Sequence, residues 1–219
     1  MKNIYTIALL FCGFGTIAQP KDMGKSDPDA KIVLDGVSAK FKTFKSVTAK
    51  FTLKIENAAG KQEGFKSGTV NMKGTKYRIS TSGQEMFCDG TNTWTYDKST
   101  NEVQITKFDN STNTVTPQKM FTNFYDKDFL YKLNGETKEG NKTIQEVELT
   151  PFDKTKPFFK VLVSIDKAAK TITKTKVFEK NGNRYTYTIT SMKTNAPLAD
   201  TLFIFDAKNY PNVEVVDLR

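Results

Sequence analysis

The chain contains no histidine among its 219 residues. This absence excludes Ser-His and Cys-His nucleophilic arrangements, and it excludes zinc sites that depend on imidazole ligands. Glycine-rich phosphate loops and dinucleotide-binding fingerprints are absent from the sequence as well. The commonest catalytic motifs are therefore missing.

Cysteine is almost as scarce, with Cys12 near the N-terminus and Cys88 in the middle of the chain. Removal of an N-terminal signal would leave Cys88 alone, so no intrachain disulfide would support the fold. A lone thiol with neither a histidine base nor a C-x-x-C partner favours a structural role over a reactive one. The fold must therefore rest on its own hydrophobic core.

Long apolar runs are confined to the N-terminus, where a positively charged start precedes the mostly apolar residues 4–15 and small residues follow. This pattern predicts a secretory signal peptide over residues 1–18, cleaved before Gln19. The run is too short to span a bilayer permanently. Residues 19–219 are then expected to form one soluble exported domain.

A lipoprotein signal is the alternative interpretation of the same segment, with Cys12 as the acylated residue. Phe11 disfavours it, because lipoprotein signals place a small residue before the cysteine. The exported domain is therefore expected to carry no lipid anchor.

Basic residues outnumber acidic ones, 33 to 24, and give a formal net charge of +9. The lysines are scattered along the chain, which favours a solvated surface. Attraction to an anionic membrane surface or to an acidic partner is the functional alternative. Nucleic acid is not an expected partner, because no basic cluster is interleaved with aromatic residues.

The first regular element is predicted to be a helix. Ser26 or Asp27 can cap it, and Pro28 suits its first turn. Its apolar face, at helical spacing, consists of Ala30, Val33, Leu34, Val37 and Phe41. From Val47 to Glu56 the period changes to two, which predicts a strand with one apolar face.

Short alternating runs continue along the chain and predict an antiparallel sheet. Asp89-Gly90 is a strong hairpin signal, and beyond it Trp94 and Tyr96 share one face of a strand. The other expected strands cover residues 66–72, 76–81, 85–88, 102–108, 143–149, 158–165, 171–179 and 184–191. A helical turn is expected over residues 197–200, and a last strand is expected to run from Phe203 and Phe205 towards residues 213–216.

Apolar and aromatic residues with helical periodicity interrupt this pattern after Thr116-Pro117. They are Met120, Phe121, Phe124, Tyr125, Phe129 and Leu130. Their composition predicts a helix that packs on the core.

Glu146 and Glu148 are the one pair that suggests catalytic chemistry. On one strand their side chains would lie about 7 Å apart on one face, close to the separation of glycosidase carboxylates. Acidic pairs are common on the wet face of a strand, so a catalytic role is disfavoured. The remaining candidate for a functional site is the apolar face of the sheet. The sequence alone leaves open whether side chains fill the space that this face encloses or a ligand cavity lies there.

The ordered set of these motifs resembles the periplasmic lipoprotein carrier family, LolA, over nearly the whole exported domain. The D-G-x-x-x-W-x-Y pattern from Asp89 to Tyr96 is the most specific piece. The other matching segments are residues 44–52, residues 68–73 with Tyr77-Arg78, Leu149-Thr150-Pro151, Ile165-Asp166, and Phe203 and Phe205 running to residues 213–215.

The resemblance implies an α+β fold, in which a half-open antiparallel β-barrel, a single large curved sheet, has its apolar concave face closed by a lid of helices. It implies a periplasmic chaperone, not an enzyme, that binds the acyl chains of lipoproteins released by the inner-membrane ABC exporter. The cargo would pass to an outer-membrane acceptor. No cofactor or metal is expected, and the carrier is expected to be a monomer. A periplasmic regulatory module that senses lipoproteins or lipids on the same half-barrel is the alternative.

Alternation and resemblance together define an expected site. The lipid-binding cavity would be lined by Phe51, Leu53, Val70, Met72, Tyr77, Ile79, Trp94 and Tyr96, and the lid would contain Met120, Phe121 and Phe124. Well-studied members of the family place an arginine that helps to latch the lid just after the lysine corresponding to Lys73. Gly74 stands there in this chain, and Arg78 is the nearest alternative latch.

Overall fold

A computed structural model describes residues 24–109 and 125–219. The expected signal peptide and the expected lid residues Met120, Phe121 and Phe124 lie outside the described residues. In the described ranges, helix α1 (Pro28–Lys42) precedes a sheet of twelve strands. None of the helices in these ranges combines the length and hydrophobicity needed to cross a membrane.

The strands follow one another along most of the chain. They are β1 (Val47–Glu56), β2 (Gln62–Lys73), β3 (Lys76–Thr81), β4 (Gln84–Cys88), β5 (Asn92–Asp97), β6 (Glu102–Lys107), β7 (Phe129–Glu139), β8 (Lys142–Pro151), β9 (Phe158–Asp166), β10 (Thr171–Glu179), β11 (Arg184–Thr194) and β12 (Glu214–Asp217). A one-turn helix, α2 (Tyr125–Asp128), precedes β7, and two 3-10 helices (Asp200–Phe203 and Ala207–Asn209) lie between β11 and β12.

All twelve strands belong to one curved, open sheet in the order β12-β6-β5-β4-β3-β2-β1-β11-β10-β9-β8-β7. Neighbouring strands are antiparallel, except that β12 runs parallel to β6. The expected α+β half-barrel is therefore confirmed. The predicted helix start at Pro28 and the predicted strand from Val47 to Glu56 are confirmed as well.

Cross-strand pairing decides which side chains share a face of the sheet. Val47 in β1 pairs with Met72 in β2, and Met72 pairs with Tyr77 in β3. These three side chains belong to a buried cluster against which Phe41 of α1 packs. We call this side of the sheet the helix face, and the other side the opposite face.

Helix α1 lies on the helix face because its apolar stripe is buried there. Leu34 and Val37 join a cluster with side chains from β7, β8 and β9. Phe41, one turn further, packs against the second cluster, around Met72. Each fully buried side chain of this size contributes about 1.5–3 kcal/mol, so the docking of α1 rests mainly on hydrophobic contact.

Asp27 caps α1 and ties it to the edge strand β7. Its Oδ1 accepts a hydrogen bond from the Asp29 N–H at 2.8 Å, and its Oδ2 accepts one from the Leu133 N–H at 3.0 Å. The Asp27 N–H donates to the Tyr131 carbonyl at 2.9 Å. The hydrogen bonds from Leu133 and Asp29 lower the pKa of Asp27. Its contribution to stability is therefore present above the unfolded-state pKa and is lost as the pH falls through the lowered value.

The structure corrects two sequence expectations. Phe129 and Leu130 begin strand β7 and do not continue a helix. A strand is not predicted here because the second half of this edge strand is exposed and polar, so apolar and polar residues do not alternate along it. The last strand is β12 alone, because Phe203 lies in a 3-10 helix and Phe205 in the loop after it. Both phenylalanines are buried, so their alternation reflects the packing of a connecting segment.

Gly68 makes room for an aromatic ring on the helix face. It pairs with Phe51 across β1 and β2. A Cβ at this position would lie 2.6 Å from Phe51 Cζ and 2.7 Å from the carbonyl oxygen of Ser80. Both distances are too short for a real side chain, so Phe51 occupies its position only because residue 68 is glycine.

We expect Gly68→Ala to lower the free energy of unfolding by about 1–3 kcal/mol, the usual cost of overpacking. Gly64→Ala is the matched control on the same strand and face. The nearest atoms to its Cβ would belong to the Ile55 side chain, with the mobile Cδ1 end at 3.2 Å. Urea unfolding of the two variants measures the difference, and equal losses would contradict the argument.

Candidate functional site

Half-buried apolar side chains continue the helix face beyond the part that α1 covers. The strands β1 and β11 supply them in three directly paired positions. The pairs are Phe51 with Ile189, Leu53 with Tyr187, and Ile55 with Tyr185. We call these six residues the apolar band. Within the described residues this surface is only partly covered, which is unusual for a contiguous apolar patch on a sheet.

A bulge in β11 connects the apolar band to the region under α1. Lys50 pairs with Ser191 and Phe51 pairs with Ile189, so Thr190 is an extra residue with no partner in β1. The bulge changes the alternation of β11. As a result Ile189 and Met192, three residues apart, both reach the helix face.

Ile189 and Met192 help to line a cavity of about 20 Å³ between α1 and the sheet. Val37 and Phe41 of α1 form part of its other wall. A space of this size holds roughly one water-sized sphere. In residues 24–109 and 125–219 the helix face is therefore filled beneath α1 and accessible along the apolar band. A long ligand would enter from the band by displacing α1 side chains.

The dimensions of this surface suit an extended hydrocarbon chain. From Phe51 to Ile55 the helix-face positions of β1 in the apolar band extend over about 13 Å at the usual rise per residue, and Val47 and Ala49 continue the same line beneath α1, where they are buried. Burial of ten methylene groups there would contribute about 8 kcal/mol. That gain is of the same order as the cost of association, so binding would be reversible.

The apolar band carries no formal charge. Tyr187 has its pKa raised by burial, so its phenol stays neutral at physiological pH. Lys66 pairs directly with Leu53 and stands exposed beside the band. A ligand with an apolar chain and a polar or anionic end would meet complementary groups at this place.

The structure places six of the eight expected cavity residues on the helix face. They are Phe51, Leu53, Val70, Met72, Tyr77 and Ile79. Val70, Met72 and Tyr77 are buried under the α1 end of the sheet, whereas Phe51 and Leu53 belong to the apolar band.

Trp94 and Tyr96 do not share this face. Trp94 pairs with Phe87, and both lie with Tyr96 in a separate buried cluster on the opposite face. Phe205 completes that cluster, with its ring 5.8 Å from the ring of Tyr96. The expectation that all eight side chains line one wall is therefore corrected, because the strand register directs these two to the other side.

Tyr185, Tyr187 and Ile189 were missed by the sequence reasoning, although β11 itself was predicted. A signal for them exists, since they alternate with threonines from Arg184 to Thr190. That alternation marks a strand with one apolar face. Their importance follows only from the pairing of β11 with β1.

Arg78, the expected latch, lies on the opposite face, away from α1. Its guanidinium group pairs with Glu85 at 2.6 Å and stacks 4.6 Å above the ring of Phe87. The register again gives the reason, because Arg78 follows the helix-face residue Tyr77 by one position. Gly74 has a φ of 59° in the β2–β3 turn, a conformation that favours glycine over arginine.

Lys73, the residue before Gly74, forms a salt bridge with Asp200. Its Nζ lies 2.8 Å from Asp200 Oδ1, and Lys76 Nζ lies 2.8 Å from Asp200 Oδ2. The hydrogen bonds from Lys73 and Lys76 lower the pKa of Asp200 to about 2. These contacts hold the first 3-10 helix against the β2–β3 hairpin.

Cys88 is fully buried beside Tyr77, and burial raises the pKa of its thiol. A protonated, inaccessible thiol is unreactive. We expect Ellman's reagent to modify Cys88 only at the rate of global unfolding, measured on the protein lacking residues 1–18, which contains one thiol. Fast modification of the folded protein would contradict a structural role.

Most of the chain matches one known protein family. Residues 42–206 match the family described as outer membrane lipoprotein carrier protein LolA. The chain belongs to the LolA family. No curated protein matches the sequence.

Several solved structures are similar to this chain at low sequence identity. An uncharacterized conserved protein from Thermus thermophilus is 12% identical, with a TM-score of 0.58 over 86% of this chain and 99% of that one. A LolA superfamily protein from Nitrosomonas europaea is 13% identical, with a TM-score of 0.42 over 81% and 98% of the two chains. LprF from Mycobacterium bovis is 11% identical, with a TM-score of 0.46 over 80% and 97%.

Proposed function

We propose that this LolA family protein is a periplasmic carrier that binds the acyl chains of lipoproteins along the apolar band. The observation that carries the proposal is the continuity of half-buried apolar side chains from Ile55 to Ile189, next to the small cavity under α1. The site binds and releases its cargo without a covalent step, so the protein is proposed not to be an enzyme. Residues 1–18 are proposed to direct its export.

Release in this proposal follows from relative affinity. Acyl chains leave a bilayer only for a comparably apolar site, and each exposed methylene group costs about 0.8 kcal/mol. The lipoprotein would come from an inner-membrane ABC exporter and pass to an outer-membrane acceptor. Because little free volume exists under α1, the return of its side chains to that region would expel the acyl chain and favour transfer to the outer-membrane acceptor.

The test is a release and transfer assay. We expect the protein lacking residues 1–18, added to spheroplasts, to bring acylated lipoprotein into solution as a stoichiometric complex and then to deliver it to outer-membrane vesicles. A cargo whose acylated cysteine is replaced should not be released. Failure to solubilise any acylated lipoprotein would overturn the proposal, and stable binding without delivery would favour the sensing module.

A further inference from the structure

A second surface, on the opposite face, combines a cluster of cations with exposed aromatic rings. Its residues come from β2 on one side of β1 and from β11, β10 and β9 on the other, and these five strands are neighbours in the sheet. Its members are Phe65, Phe159, Lys160, Lys176, Phe178 and Arg184, and we call this set the basic-aromatic patch. The apolar band lies on the other side of the sheet, on β1 and β11.

Strand pairing assigns these residues to one face. Arg184 pairs with Phe178, and Phe178 pairs with Lys160, so the three side chains stand in a row. A register shift in β9 leaves Phe159 without a partner in β10. The bulge lets Phe159 share the face of Lys160, and its ring lies 6.2 Å from that of Phe178.

Three cations surround the ring of Phe178. Lys160 Nζ lies 4.8 Å, Lys176 Nζ 5.4 Å and Arg184 Cζ 6.0 Å from the ring centroid. Lys176 also lies 3.7 Å from a carboxylate oxygen of Glu56. Among the described residues, neither Lys160 nor Arg184 takes part in a salt bridge. The ring attracts cations but does not neutralise them, so the cluster keeps an excess of positive charge.

Two phenylalanines flank this charge and are exposed to solvent. Phe65 is 60% exposed and Phe159 is 49% exposed. Four strand spacings separate their strands, which is about 19 Å. Side chains of this size are normally buried, and separated aromatic anchors around a basic centre are typical of surfaces that meet a bilayer interface.

We propose that the basic-aromatic patch docks the protein on the surface of a membrane that contains anionic phospholipid. Lysine and arginine meet the headgroup phosphates, and Phe65 and Phe159 enter the interface on either side. An acidic protein would complement the charge but would leave the two separated rings without an apolar partner. Docking through the opposite face keeps the apolar band uncovered, so this inference does not depend on the proposed acyl-chain site.

The experiment measures sedimentation of the purified protein with vesicles. We expect binding to phosphatidylcholine vesicles that contain phosphatidylglycerol, no binding to pure phosphatidylcholine, and loss of binding at high salt. Lys160→Glu/Arg184→Glu should weaken the partition coefficient by at least about 30-fold, given the usual attraction per basic side chain. Lys107→Glu/Lys208→Glu, two exposed lysines outside the patch, makes the same change in net charge and should retain most of the binding.

A second variant separates loss of binding from loss of folding. Phe65→Ser/Phe159→Ser removes rings that are 60% and 49% exposed and leaves the cations in place, so it should stay folded and bind anionic vesicles more weakly. Equal losses in the two charge-reversal variants would show attraction by net charge and overturn the patch. The proposal would also be overturned if the wild-type protein did not bind anionic vesicles at low salt. It would be overturned as well if soluble polyglutamate released the protein from the vesicles and the ring substitutions had no effect on binding, because charge alone would then explain the attraction.

Discussion

Leu53→Glu is expected to abolish acyl-chain binding while the protein stays folded. Leu53 lies at the centre of the apolar band, paired with Tyr187 on one side and Lys66 on the other. In the free protein the new carboxylate would be half-exposed and next to Lys66, so the free energy of unfolding should change by less than about 1 kcal/mol. An acyl chain would have to dehydrate that ion pair. We therefore expect affinity for a fluorescent fatty acid to fall at least a hundredfold, about 3 kcal/mol.

Phe65→Glu is the matched control for this experiment. It also replaces a large apolar side chain by a carboxylate, on the strand next to β1, but on the opposite face, where Phe65 is 60% exposed. Affinity for the soluble fatty acid should therefore stay within a factor of about two, a difference of under 0.5 kcal/mol. Equal loss of fatty-acid affinity in both variants would refute the assignment of the site to the helix face.

Strand alternation predicted much of this site because one face of β1 is apolar and the other is polar. The bounds Val47–Glu56 and the shared direction of Phe51 and Leu53 follow from the period of two alone. The capped helix that covers the same face was predicted from Asp27 and Pro28. Local patterns suffice where the covering element lies next in the chain.

The face of Trp94 could not be predicted in this way. Alternation places Trp94 and Tyr96 together, but which side they take depends on the number of residues in each preceding turn. Tyr77 pairs with Cys88 and Cys88 pairs with Thr93, so Thr93 shares the helix face and Trp94 does not. One residue more or less in the turn after β4 would reverse the result.

A distant segment explains why β5 is apolar on that side. On the opposite face, Phe205 packs over Phe87 with ring centroids 5.7 Å apart. Tyr210 packs over Tyr96 in the same way, with ring centroids 4.6 Å apart. The buried side of the sheet thus changes between β3 and β5. More than a hundred residues separate the strand from its cover, and nothing local in the sequence marks that contact.

Trp94→Glu is therefore expected to unfold the protein rather than to block the acyl-chain site. Trp94 is 8% exposed among Phe87, Val103 and Phe205. The substitution would remove a large aromatic contact and bury a carboxylate without a partner, which costs more than about 4 kcal/mol. Total stabilities of domains are about 5–15 kcal/mol, so urea unfolding should show a marginal or absent native state.

Thr95→Glu is the control for this substitution. Thr95 is the next residue, lies on the helix face and is half-exposed, so the change should lower the free energy of unfolding by less than about 1 kcal/mol.

The loss in free energy of unfolding caused by Trp94→Glu should become smaller in acid. Burial raises the pKa of a carboxyl group, so the folded state binds its proton more tightly, and stability is regained as the pH falls through that raised value.

Trp94 also reports directly on the location of bound lipid, since it is the only tryptophan in the chain. If acyl chains bind on the helix face, the sheet separates them from the indole ring. Brominated fatty acids should then leave the fluorescence of Trp94 unquenched at saturation, while Leu53→Trp/Trp94→Phe, with its indole inside the apolar band, should be strongly quenched. Quenching of Trp94 in the wild-type protein would place the acyl chain on the opposite face and would reverse the assignment.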